Sequence, residues 1–121
     1  MKYVCLVHFD PERLTAMNER EKQELDAKSL AFDQELSAGG HLIAAEALQS
    51  PASAVLVKVR DGRLSTTDGP FAETKEHLGG FILIEARDLN DAIRIAAGIP
   101  LAALGTIEVR PIYEIPRPRE Q

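Results

Sequence analysis

Residues 79–100 read Gly79-Gly80-Phe81-Ile82-Leu83-Ile84-Glu85-Ala86-Arg87-Asp88-Leu89-Asn90-Asp91-Ala92-Ile93-Arg94-Ile95-Ala96-Ala97-Gly98-Ile99-Pro100. Two periodicities meet in this stretch. Phe81 to Ala86 alternates as a strand, and it is apolar on both sides: Phe81 and Leu83 on one, Ile82 and Ile84 on the other. Asp88, with Leu89-Asn90-Asp91 behind it, is a helix cap, and the helix runs to about Ala97, where Gly98 and Pro100 stop it. Leu101 to Leu104 makes a short turn, and Ile107 to Tyr113 is one more strand. Strand, helix and strand in this order are one half of a split βαβ plan.

The other half lies at the N-terminus. Lys2 to Phe9 is a strand with Tyr3, Cys5, Val7 and Phe9 on one face and Val4, Leu6 and His8 on the other. Asp10-Pro11-Glu12 starts a helical turn over about 11–17, with Asp as N-cap and Pro in the first turn. Asn18 and Glu21 form a capping-box pair for a long helix over about 19–38, which ends at Gly39-Gly40. Leu25, Phe32 and Leu36 are its buried stripe, Ser29 stands in the same row, and Glu24 and Lys28 pair on the flank. His41 to Leu48 and Ala54 to Arg60 are strands. Asp61-Gly62 is a two-residue hairpin turn of type I′, and Arg63 to Thr67 returns. That turn sets the register: Val59 faces Leu64, Val57 faces Thr66, and Val55 faces Asp68. The order β-α-β-β-β-β-α-β is an α+β fold, ferredoxin-like once the extra hairpin strand is set aside.

Two helices cover only one face of such a sheet, yet its strands are apolar on both. A bare second face would exceed the apolar patch that monomers show. A second copy is therefore expected to cover it, giving a homodimer with a pocket at or near the interface.

With 121 residues, the chain is one domain, 1–121, with residues 114–121 read as a mobile C-terminal tail. Fourteen basic against nineteen acidic side chains give a net charge of −5, which argues against a nucleic-acid partner. No apolar run is long enough to span a membrane. The N-terminal apolar stretch is too short for a signal peptide and has no cleavage site, so a cytoplasmic protein is expected. Cys5 is the single cysteine and reads as a small core residue. No His or Cys spacing suits a metal, no phosphate loop or nucleophile elbow is present, and no cofactor is expected.

The loop Asp68-Gly69-Pro70-Phe71-Ala72-Glu73-Thr74-Lys75-Glu76 resembles the signature of the YCII-related family, in its DGPF-domain branch. Val59-Arg60-Asp61-Gly62, Leu78-Gly79-Gly80-Phe81 and Gly105-Thr106-Ile107-Glu108-Val109-Arg110-Pro111-Ile112 resemble it too. The resemblance implies a dimeric α+β barrel of ferredoxin-like subunits. It also implies a small organic substrate or ligand, with a dehydrochlorinase and muconolactone isomerases among relatives and related barrels. DGPF proteins are often encoded beside, or fused to, extracytoplasmic-function sigma factors. Some relatives carry a His–Asp pair with its His on the first helix. Here Ser29 matches that His, so the His–Asp mechanism does not carry over.

The residues themselves name the candidates. Asp68 ends an apolar row, where a carboxylate is either hydrogen-bonded by its own loop or desolvated into an acid or base. His77 closes the loop as a second proton carrier. Phe71 reads as a core anchor or as a substrate-stacking ring. Glu73, Lys75 and Glu76 read as a solvated rim, or as an ion pair closing a pocket mouth. His8 reads as a core or interface histidine, and His41 as a cap on the long helix. Two functions follow. The first is binding of a small molecule, with proton-transfer, isomerase or lyase chemistry, and it predicts a buried polar cluster around Asp68. The second is a non-catalytic partner of a sigma factor, and it predicts an exposed apolar patch outside the dimer interface.

Overall fold

The computed structural model describes residues 1–118, so Arg119, Glu120 and Gln121 at the end of the expected tail lie outside the described residues. The elements are β1 (Lys2–Phe9), α1 (Pro11–Thr15), α2 (Glu19–Ala38), β2 (Leu42–Ala47), β3 (Val55–Arg60), β4 (Arg63–Asp68), β5 (His77–Glu85), α3 (Leu89–Ala97) and β6 (Thr106–Pro111). Short 3-10 turns cover Pro51–Ser53 and Pro100–Ala103.

Local chemistry starts each helix. Asp10 accepts from the Glu12 N–H at 3.0 Å at the head of α1. Asn18 Oδ1 accepts from the Glu21 N–H at 2.8 Å while the Glu21 carboxylate accepts from the Asn18 N–H at 3.2 Å, a reciprocal box that satisfies two otherwise unpaired donors. Asp88 accepts from the Asp91 N–H at 2.8 Å at the head of α3. On the flank of α2 the ion pair is Arg20 with Glu24, not Glu24 with Lys28. The His41 ring sends its Nδ1 to the Glu85 carbonyl at 3.0 Å, bracing β2 on β5, and it is the His41 backbone N–H that donates to the Leu36 carbonyl at 2.9 Å at the end of α2.

The main sheet has four antiparallel strands in the order β2-β5-β1-β6. Tyr3, Cys5, Val7, Ile82 and Ile84 point to the helix side, where Leu36, Ala92, Ile95 and Ala96 meet them in one buried cluster. A fully buried Ile or Leu of this kind contributes roughly 1.5–3 kcal/mol. Cys5 is wholly buried in this layer, and burial pushes its thiol up to about 11. The opposite side carries Val4, Leu6, Phe81 and Leu83, all half-buried, with no helix over them.

The largest boundary difference from the sequence reading is at β5. β5 begins at His77, four residues before the expected Phe81, because Leu78 and His77 pair with His8 and Phe9. The register slips between Val7 and His8, leaving Gly79 as the extra residue of a bulge under the Phe9 ring. Gly80 lies so close to β2 that an added Cβ would stand 2.8 Å from the Glu46 carbonyl oxygen. The hairpin register is as expected, Val59 with Leu64, Val57 with Thr66 and Val55 with Asp68. Neither hairpin strand joins the main sheet, however. β3 and β4 form a separate two-stranded sheet, and the main sheet is open, with no closed barrel among the described residues.

Candidate functional site

The signature loop lies on the surface. Asp68 is exposed at the end of β4, and among the described residues no hydrogen bond or ion pair holds its carboxylate. The Gly69 N–H instead donates to the Ala54 carbonyl at 2.8 Å, so backbone closes this corner. Among the described residues no buried polar cluster surrounds Asp68. Phe71 is 87% exposed and does not anchor the loop in the core of its own chain. Glu73 and Lys75 are exposed, and Lys75 takes part in no ion pair among the described residues. Glu76 is half-buried and accepts from the Thr106 hydroxyl at 2.9 Å, tying the loop to the start of β6. His77 is half-buried at the start of β5, opposite Phe9.

Of the expected candidates, Ser29 alone faces a cleft. The cleft has a volume of about 470 Å³ and lies between α2 and the helix side of the sheet. α2 contributes Asp26, Ser29, Leu30, Phe32 and Asp33, and the sheet contributes Val7, Gly80 and Ile82 with β2 along one side. Ile99, Pro100 and Leu101 close one end. The spacing 26, 29, 30 and 33 is one flank of a helix, so a single row of α2 carries two carboxylates and a hydroxyl over an apolar floor. Gly79 and Gly80 leave that floor open by bringing no side chain to it. Glu46 and Phe81 also border the cleft, although register turns both toward the other side of the sheet. A wider groove of about 600 Å³ on the other flank of α2 mixes Lys28 with Glu21, Glu24 and Glu35 and does not reach the sheet.

Electrostatics single out one group in the cleft. Burial raises the Asp33 carboxyl above the ordinary carboxylate value, because its charged form loses water there. Asp26 and Asp33 enter no ion pair among the described residues. Asp91 is the opposite case. It is buried, yet it accepts from the Arg87 N–H at 3.0 Å and from Arg94 Nη2 at 2.7 Å, and these partners hold its carboxyl well below the usual range. Among the described residues no group of three or more His, Cys, Asp or Glu side chains could hold a metal ion. No helix among them is long and apolar enough to cross a membrane.

Asp26 and Asp33 escaped the sequence reading because they look like the solvent face of a polar helix. The available signal was their place beside Ser29, Phe32 and Leu36, where polar residues interrupt the edge of a buried stripe.

The model of the YCII-related domain matches residues 1–116. This chain belongs to the YCII-related family. The YCII-related chain is also 31% identical over 114 residues to an uncharacterized protein of Rhizobium meliloti (strain 1021), covering 93% of this chain and 92% of that relative.

Proposed function

We propose that this YCII-related protein is a cytoplasmic homodimer that binds a small organic molecule, with the α2 cleft as its ligand site and proton transfer of the isomerase or lyase type as its chemistry. The cleft carries this reading: an apolar floor, a hydroxyl and a carboxyl group raised by burial converge in about 470 Å³, within the usual size of a small-molecule site. A carboxyl group facing a bound molecule there can give or take a proton. A titration with benzyl alcohol, a neutral probe, followed by amide NMR tests the site. Shifts confined to Ser29, Asp33, Gly80 and Ile82, and lost in a folded Ser29→Phe variant, support it. Shifts that ignore Ser29→Phe overturn it.

Surface area supports the dimer. The chain exposes 9287 Å². A compact monomer of its mass would expose roughly 6,400 Å². The excess is more than a standard interface needs from one partner, about 800 Å². The sheet order β2-β5-β1-β6 with both long helices on one face supports a ferredoxin-like plan. Two such sheets, open face to open face, would make the dimeric α+β barrel of the DGPF branch. In that assembly the exposed signature loop is a rim. Asp68 and His77 are its candidate proton carriers, and Phe71, Glu73, Lys75 and Glu76 are candidate contacts to ligand or partner.

A second reading has one observation in its favour. Val55, Val57, Val59 and Leu64 form an exposed apolar row on the hairpin, and Phe71 stands exposed on the loop that follows. A sigma-factor domain docked there would cover them. Light scattering separates the two: a dimer whose mass falls to that of one chain in Val57→Lys supports the first reading, and a monomeric native chain favours the second.

A further inference from the structure

The cleft has a chemical polarity as well as a shape. Its charged residues are all acidic: Asp33 inside and Asp26 toward the mouth, with the Ser29 hydroxyl between them on the same helix flank, and Glu46 at the border. Among the described residues no Lys, Arg or His lines it. The chain does neutralise a buried carboxylate elsewhere, since Asp91 takes both Arg87 and Arg94. At Asp33 no such partner is present among the described residues. An independent observation turns this from a patch of charge into a site. Beneath these groups lies an apolar floor of Val7, Ile82 and Ile99, roofed by Phe32, of a size to take a ring or a short chain.

The two features together select one class of molecule. An apolar body removes the floor from water. A protonated nitrogen on that body meets two carboxylates and can donate to Ser29 as well, and hydrogen bonds between ionised partners are the strong ones. An anion of the same shape would meet two like charges at reduced dielectric, without a compensating cation. We propose that the cleft recognises small organic ammonium ions, a primary or secondary amine on an aromatic or short aliphatic body. The proposal rests on the reading above that the cleft is a ligand site.

Three probes of one shape test it: benzylamine, which is protonated at neutral pH, benzyl alcohol and benzoate. Each is titrated into the folded protein at pH 7.5 and low salt, with amide NMR as the readout. Benzylamine is expected to bind at least tenfold more tightly than benzyl alcohol, with its shifts centred on Ser29, Asp33 and Ile82, and benzoate is expected not to bind. The advantage should shrink in 0.5 M salt. Asp33→Asn should remove most of the benzylamine advantage over benzyl alcohol. Equal binding of amine and alcohol, or preference for benzoate, overturns the ammonium inference and leaves the cleft standing as a neutral site. Failure of all three probes overturns both. Benzylamine shifts that persist in Ser29→Phe, or spread over the exposed acidic residues of α2, also overturn it, because they show a surface counter-ion.

Discussion

Asp91 is the most constrained ionisable residue described here. Its carboxylate is folded into the first turn of α3, where the Arg87 amide and the Arg94 guanidinium both donate to it. Its folded pKa is depressed, so its contribution is fully present above the unfolded value of about 3.9 and is lost as pH falls toward the folded value. Asp91→Asn is expected to lower Tm at pH 7, with the gap to the native chain narrowing steadily below about pH 4. A gap that is constant with pH would show that the charge is not what matters. Asp33 has the reverse sign. Its folded pKa is raised by desolvation, so its charged form strains the fold, and Asp33→Asn should be neutral or stabilising at pH 7 in thermal melts. Asp68, exposed and unheld, should change stability by no more than about 0.5 kcal/mol on going to Asn. Any effect of Asp68→Asn on ligand binding would then be chemical and not structural.

At the scale of elements, close approach and exposure make different predictions. Gly80→Ala pushes a methyl against the Glu46 carbonyl of a neighbouring strand, which cannot yield as a side-chain tip would. Overpacking of this kind costs about 1–3 kcal/mol, measurable by urea unfolding. Val57→Lys should do little to the fold of one chain, since Val57 is 62% exposed. It should weaken self-association by tenfold or more if the hairpin row is buried between copies, as concentration-dependent light scattering would show. The hairpin also marks how much of the fold was readable. Asp61-Gly62 demands positive φ at both positions, and the structure has φ 53° and 73° there, so one dipeptide set the whole register from Val55 to Asp68. Which sheet the hairpin would join was not readable, because alternation gives a strand its faces and not its neighbours. The early start of β5 was hidden for a related reason: Gly79-Gly80 reads as a break, and only pairing with Phe9 shows it to be a bulge within a strand. The cleft was half readable. Ser29 stood out by family resemblance, whereas Asp26 and Asp33 needed the sheet opposite them to become a site.

For the whole molecule, light scattering at low micromolar concentration is expected to give about twice the chain mass of 13.3 kDa. A chelator should leave Tm unchanged, and a zinc-reversible drop would reveal a site that residue spacing does not show. The strand order has a further consequence, for synthesis. β1 lies in the interior of the sheet, yet its partners are residues 77–85 and 106–111. The first strand of this fold must therefore wait for its last two. Until then Tyr3-Val4-Cys5-Leu6-Val7 has nothing native to pair with, and the unpartnered strand is open to wrong pairing. Such long-range closure places refolding toward the slower part of the range for small domains, milliseconds to seconds. Nascent chains arrested just before Thr106 should remain sensitive to protease along their whole length, and chains extended past Pro111 and clear of the ribosomal tunnel should become resistant in a single step.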